Sequence, residues 1–270
     1  MHAKERTILK YILLPLLVIL LVINVPASEK NKKDEWGEFY KPYNVEGCFI
    51  LYDLNAGKYY VYNEKRTKEE FLPASTFKVL NSLIGLETGA VKDENEVFKW
   101  DSIDRGYDAW NCSQDMRSAM KVSAVWFYQE LARRIGEKQM QHFIDSIGYG
   151  NRNIGDKIDE FWLSGKLRIK PVEQVEFLKR LYLDDLPFSR RSLNIVKDIM
   201  ITEKTDDYVL HSKTGWAARA DKQYGWWIGY IEKDNNVYFF VNNMDINKSG
   251  DEKGRIEISK KILQHMGILN

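Results

Sequence analysis

The chain has 270 residues, 44% apolar and 13% aromatic, which is enough for a substantial core and too apolar for a disordered or low-complexity protein. Lys and Arg number 40 against 39 Asp and Glu, with no stretch gathering one sign, so the expected partner is a small molecule and not nucleic acid or an anionic membrane. Cys48 and Cys112 can pair but make no disulfide scaffold, and His2, His142, His211 and His265 lie in no HExxH or paired-ligand spacing, so a metal site or a Ser-His-Asp hydrolase has little support.

Lys4, Arg6 and Lys10 precede an apolar run over 11–25 that ends in Val25-Pro26-Ala27, the pattern of a secretory signal peptide over residues 1–27 with cleavage near Ala27. The run is shorter than the ~20 residues of a spanning helix. Membrane contact is therefore expected only through export, and the remainder, 28–270, is expected to be periplasmic or extracellular. Residues 28–46 are polar and charged and read as a surface lead-in.

Two strand-like runs, 47–53 and 58–62, flank Asn55-Ala56-Gly57 as a β-hairpin. Over 75–87, Phe77, Val79, Leu80, Leu83 and Ile84 recur at helical spacing, with Pro73 before the start and Gly89 past the end. Helical segments follow over 121–135, 137–147 and 171–183, interrupted by Phe161-Trp162. Strands return at 208–213, 224–232 and 237–242, and a helix over 252–266 closes the chain. The pattern predicts an α+β fold, in which an antiparallel sheet built from the N- and C-terminal segments (about 46–72 and 200–270) is flanked by helices and carries an inserted all-α part at about 90–190.

Ser75-Thr76-Phe77-Lys78 places a hydroxyl and an amine on one helix face, where a lysine kept neutral by burial can activate the serine and the helix N-terminus can serve an oxyanion. Ser118-Ala119-Met120-Lys121 has the same spacing, so context must separate the two. Pro73-Ala74 and a strongly apolar helix surround Ser75. Ser123-Ala124-Val125 and Lys213-Thr214-Gly215 complete a set of three elements; the last ends a strand with donors for an anion and a glycine that permits close approach.

SxxK, SDN and KTG in this order are the known signature of class A β-lactamases and penicillin-binding proteins. Val125 stands where that signature has asparagine, making the surroundings of Lys78 drier. Over nearly all of 28–270 the chain resembles the class D β-lactamases, or oxacillinases. The resemblance is carried by Pro73-Ala74-Ser75-Thr76-Phe77-Lys78, Ser123-Ala124-Val125, Tyr149-Gly150-Asn151, Phe161-Trp162-Leu163, Lys213-Thr214-Gly215-Trp216 and Gly225-Trp226-Trp227.

The resemblance implies a β-lactam substrate, a Ser75 acyl-enzyme, and a Lys78 carboxylated by carbon dioxide or bicarbonate as the base of both half-reactions, with no other cofactor. It gives Trp162 a hydrogen bond to that carbamate, Val125 a place in the pocket wall, and Ser123 the proton relay to the leaving nitrogen. It also assigns the oxyanion hole to the backbone N–H groups of Ser75 and Trp216, and the substrate carboxylate to Thr214 and Arg255, with Lys213 a further substrate-binding donor. Tyr149 is read as structural. The loop over 216–224 is similar to that of carbapenem-hydrolysing members, and Trp110 either lines the site or packs. A slowly deacylating peptidase and a β-lactam sensor are the rival readings; the apolar pocket and the absence of HExxH speak against them.

Overall fold

A computed structural model describes residues 35–270. The proposed signal peptide lies outside the described residues. Six strands form one antiparallel sheet in the order β2-β1-β6-β5-β4-β3, with β1 Gly47–Asp53, β2 Lys58–Tyr62, β3 Ile201–Lys204, β4 Val209–Trp216, β5 Tyr224–Lys233 and β6 Asn236–Asp245. Segments from both ends of the chain share this sheet as expected, since β1 pairs with both β2 and β6, with Ile50 opposite Val61 and Val241.

The helices are α1 Glu64–Thr67, α2 Lys78–Glu87, α3 Met116–Val122, α4 Val125–Ile135, α5 Glu137–Ile147, α6 Pro171–Tyr182, α7 Arg190–Ile199 and α8 Gly254–His265. Two apolar cores lie on the two faces of the sheet. One joins Ile50, Trp226, Ile228 and Phe239 to α2 and to the helical segments over 116–199. The other joins Phe49, Trp227 and Phe240 to α8. Strand alternation produces this division, because Trp226 and Trp227 point to opposite faces. α2 sits at the middle of the first core, with Val79, Leu80, Leu83 and Ile84 fully buried.

Three expectations need correction. The lead-in over 28–46 is not merely a surface segment, because Trp36, on a short 3-10 turn, and Tyr40, between that turn and the next, are buried in the second core. Trp36 meets Phe49 edge-on at 5.5 Å, and Tyr40 donates to Asn242 Oδ1 at 3.1 Å. Two buried rings in a polar run give no periodic signal. The helix expected over 121–135 is broken at Ser123, whose left-handed backbone (φ 56°) ends α3. Ala124 N–H returns to Ala119 O at 2.9 Å, a Schellman-type stop in which serine occupies the place glycine usually takes. Finally, the helix expected from Ser75 is a 3-10 turn over Ala74–Phe77 that becomes α-helical only at Lys78. Cys48 and Cys112 are both free, the first buried in β1 and the second exposed.

Candidate active site

The 3-10 turn presents Ser75 at the floor of a cleft. Ala74, just before it, has φ 48°, a costly backbone for a residue with a Cβ, and its N–H is held by Trp162 O at 3.0 Å. The turn also packs against the end of β4. A Cβ on Gly215 would lie 3.1 Å from both Pro73 O and Thr76 Cγ2. The KTG glycine therefore allows the strand to press against the serine turn, an additional reason for glycine there.

Lys78 Nζ lies 2.6 Å from Ser75 Oγ and is buried, with Tyr128's ring 5.5 Å away. Burial, and after it the charge of Lys213, push the amine well below its ordinary pKa. A neutral amine beside a hydroxyl has the donor–acceptor arrangement needed to take its proton. The look-alike pair is different. Ser118 forms a capping box with Asp115 at the start of α3, receiving Asp115 N–H at 3.1 Å while its own N–H reaches Asp115 Oδ1 at 2.7 Å, and Lys121 is exposed.

The break at Ser123 orients the second motif. Lys213 Nζ donates to Ser123 Oγ at 2.9 Å and to Thr214 O at 3.1 Å, tying the helical part to β4. Burial, followed by Arg255, lowers Lys213 to about 7. Thr214 and Val125 both line the cleft, which has a volume of about 580 Å³. Trp110 lines it too, with its indole N–H held by Val122 O at 3.0 Å.

Strand pairing locates the backbone donor. Ala217 N–H bonds Tyr224 O, so in this ladder Trp216 and Gly225 form a non-hydrogen-bonded pair and the Trp216 N–H points away from β5. Ser212 N–H, on the same side, is taken by Met200 O. Beyond that point β3 no longer covers β4, whose pairing with β3 begins at His211, so the Trp216 N–H lies on the uncovered edge of β4, and Trp216 lines the cleft. The Trp216 side chain stands outside, donating to Gln223 Oε1 at 3.0 Å.

Arg255, at the start of α8, reaches the cleft; its Nε and Nη1 are buried and make no hydrogen bond with any described residue, and burial lowers its pKa. Trp162 is fully buried, stacked on Phe77 at 5.4 Å, and its indole N–H likewise has no partner among the described residues. Tyr149 packs edge-on against Phe77, and Asn151 bonds Lys166 O and Arg168 N–H across its loop, which fits a structural role for the YGN segment. Arg105, Tyr107, Trp126, Gln129 and Arg219 also line the cleft. No sequence motif marks them: Arg105 and Tyr107 lie in a segment over 99–111 without periodicity, Trp126 and Gln129 on a helix whose period does not separate cleft-facing from packed side chains, and Arg219 in a turn of the 216–224 loop.

A family model, the penicillin binding protein transpeptidase domain, matches residues 25–264. The chain is 41% identical to β-lactamase OXA-48 of Klebsiella pneumoniae over 254 residues, covering 93% of this chain and 96% of that protein. It is 41% identical to a probable β-lactamase, YbxI, of Bacillus subtilis over 235 residues, 87% of this chain and 85% of the other. Among solved structures, the class D β-lactamase YbXI from Nostoc superposes with a TM-score of 0.85 at 46% identity, covering 87% of this chain and 99% of that one. FUS-1 (OXA-85), a class D enzyme of Fusobacterium nucleatum subsp. polymorphum, gives 0.85 at 40% identity over 88% and 99%. A transpeptidase-domain model that matches most of the chain, and relatives at about 40% identity over nearly their whole length, show that the chain belongs to the class D β-lactamases, serine enzymes of the penicillin-recognising fold.

Proposed function

We propose that this protein is exported, opens the ring of penicillin-type β-lactams through a Ser75 acyl-enzyme, and thereby confers resistance, with Lys78 acting as the base in its carboxylated form. The observation that carries this reading is the buried Lys78 amine, 2.6 Å from Ser75 Oγ and depressed in pKa. The residues around it fit a carbamate: only a neutral amine reacts with carbon dioxide, and the Trp162 indole N–H, buried and without a partner among the described residues, is a donor awaiting an acceptor. When present, the carbamate supplies an anionic oxygen able to accept the Ser75 proton and later that of a water.

The chain's own groups do the rest. Thr214, Lys213 and the Arg255 guanidinium hold the substrate carboxylate, where a bidentate guanidinium suits a planar anion. The N–H of Trp216, with that of Ser75, stabilises the oxyanion as Ser75 Oγ attacks. Ser123, supplied by the Lys213 ammonium, passes a proton to the departing lactam nitrogen. The basic and apolar N-terminal run supports export across the inner membrane to the periplasm, or to the exterior.

Hydrolysis of a chromogenic cephalosporin by the purified mature protein, with and without bicarbonate and with mass analysis of Ser75, tests this. Turnover sustained by bicarbonate is expected. Turnover indifferent to bicarbonate would remove the carbamate, and a stable Ser75 adduct without turnover would favour a sensor or peptidase.

A further inference from the structure

Three arginines line the cleft, Arg105, Arg219 and Arg255, and among the described residues no Asp or Glu side chain does. Their situations differ. Arg105 is neutralised by Asp101, with Nη1 and Nη2 at 2.8 and 2.6 Å from its two oxygens, and lies over the Trp126 ring. Arg255 is the carboxylate clamp of the proposed reaction. Arg219 is exposed and makes no hydrogen bond or ion pair with any described residue.

Its loop is nevertheless fixed on both sides. Ala217 N–H bonds Tyr224 O at 2.9 Å and Ala220 N–H bonds Ala217 O at 3.3 Å. Lys222 pairs with the buried carboxylate of Asp245 at 2.8 Å, and Ile246 N–H bonds Gln223 O at 2.9 Å. Ala218, between Trp216 and Arg219, leaves room at the mouth. A permanent, uncompensated charge is thus presented to the cleft by a held loop.

Substrate chemistry says which end of the ligand meets it. The reactive lactam carbonyl lies between the ring nitrogen, on whose side the nuclear carboxylate hangs, and the carbon that bears the acylamino arm. With the carbonyl at Ser75 and the carboxylate at Thr214 and Arg255, the acylamino arm leaves in the other direction, past Trp216 toward Ala218 and Arg219. We propose that Arg219 is a specificity-determining residue that selects β-lactams carrying a second anionic group, a carboxylate or sulfonate, on the acyl arm. The proposal rests on the β-lactamase reading above.

The test compares kcat/KM for carbenicillin, an α-carboxy penicillin, with that for benzylpenicillin, which lacks the second charge, in the wild type, Arg219→Ala and Arg219→Lys. In Arg219→Ala the carbenicillin-to-benzylpenicillin ratio should fall about tenfold, the scale of one charge-assisted contact, and Arg219→Lys should restore much of it. A ratio within about twofold of the wild type in Arg219→Ala would overturn the proposal, as would a wild type that hydrolyses benzylpenicillin but not carbenicillin. A wild type inactive on both would instead overturn the β-lactamase reading.

Discussion

Ser75 and Lys78 share their spacing with Ser118 and Lys121, yet the surroundings give the two pairs opposite fates. Around Lys78 there is no carboxylate to hold a proton, only a hydroxyl, an aromatic ring and burial; around Ser118 there is an aspartate and a helix end to cap. Lys78→Ala should therefore lose turnover by about 10³-fold, the scale of a general base, while Lys121→Ala stays near wild type by steady-state hydrolysis. Equal losses would mean that the catalytic pair is wrongly assigned. Lys213 gives a pH signature. Its ammonium is charged below about 7 and neutral above, so its attraction for an anionic substrate fades as pH rises through that value. The pH profile of kcat/KM should show this alkaline fall, and Lys213→Arg, which keeps its charge, should lose it. In stability the sign is opposite. The folded value lies below the ~10.4 of an unfolded lysine, so burial of Lys213 is least costly above ~10 and most costly below 7, and stability rises with pH between them.

At the scale of elements, the motifs were legible in the sequence but their local geometry was not. Ser-Ala-Val at 123–125 sits inside a stretch whose apolar period continues across it, so the break between α3 and α4 is invisible to periodicity; it is made by one serine in a left-handed conformation. β3 was missed for a related reason. It is a four-residue edge strand, Ile-Thr-Glu-Lys, mostly exposed, and such a strand has too little alternation to announce itself. β5 and β6 were readable as long apolar and aromatic runs, buried on both faces, and α8 by the helical spacing of its buried Ile258 and Ile262. The YGN turn offers a test at this scale. Gly150 has φ 54°, and a Cβ there would lie 1.9 Å from Arg168 O on the backbone of the loop that carries Trp162. Gly150→Ala should cost about 3 kcal/mol in urea unfolding, from strain and overpacking together. A cost below about 1 kcal/mol would show that the loop yields easily.

Across the whole molecule, one sheet brings together chain segments nearly 200 residues apart, and a buried ion pair ties them further. Arg66 on α1 bonds Asp245 Oδ1 at 2.8 Å and Asn243 Oδ1 at 2.9 Å at the end of β6, with both charged side chains buried. Removing one member of a buried pair strands the other charge. Arg66→Met should cost about 3 kcal/mol by urea denaturation, toward the lower end for such losses because Lys222 still pairs with Asp245. An unchanged midpoint would show that the ion pair adds nothing to the joint. The strand alternation at both ends of the chain disclosed this closure of the sheet, whereas Arg66 and Asp245, 179 positions apart, carry no pattern that pairs them. Only the folded register brings them together.

In the reaction proposed for this protein, Lys78 works as its carbamate. Labelling the purified protein with ¹³C-bicarbonate and recording its ¹³C spectrum tests that most directly. A carbamate resonance is expected that is absent in Lys78→Ala and lost, together with activity, when bicarbonate is removed at low pH. A fully active protein with no such resonance would contradict it.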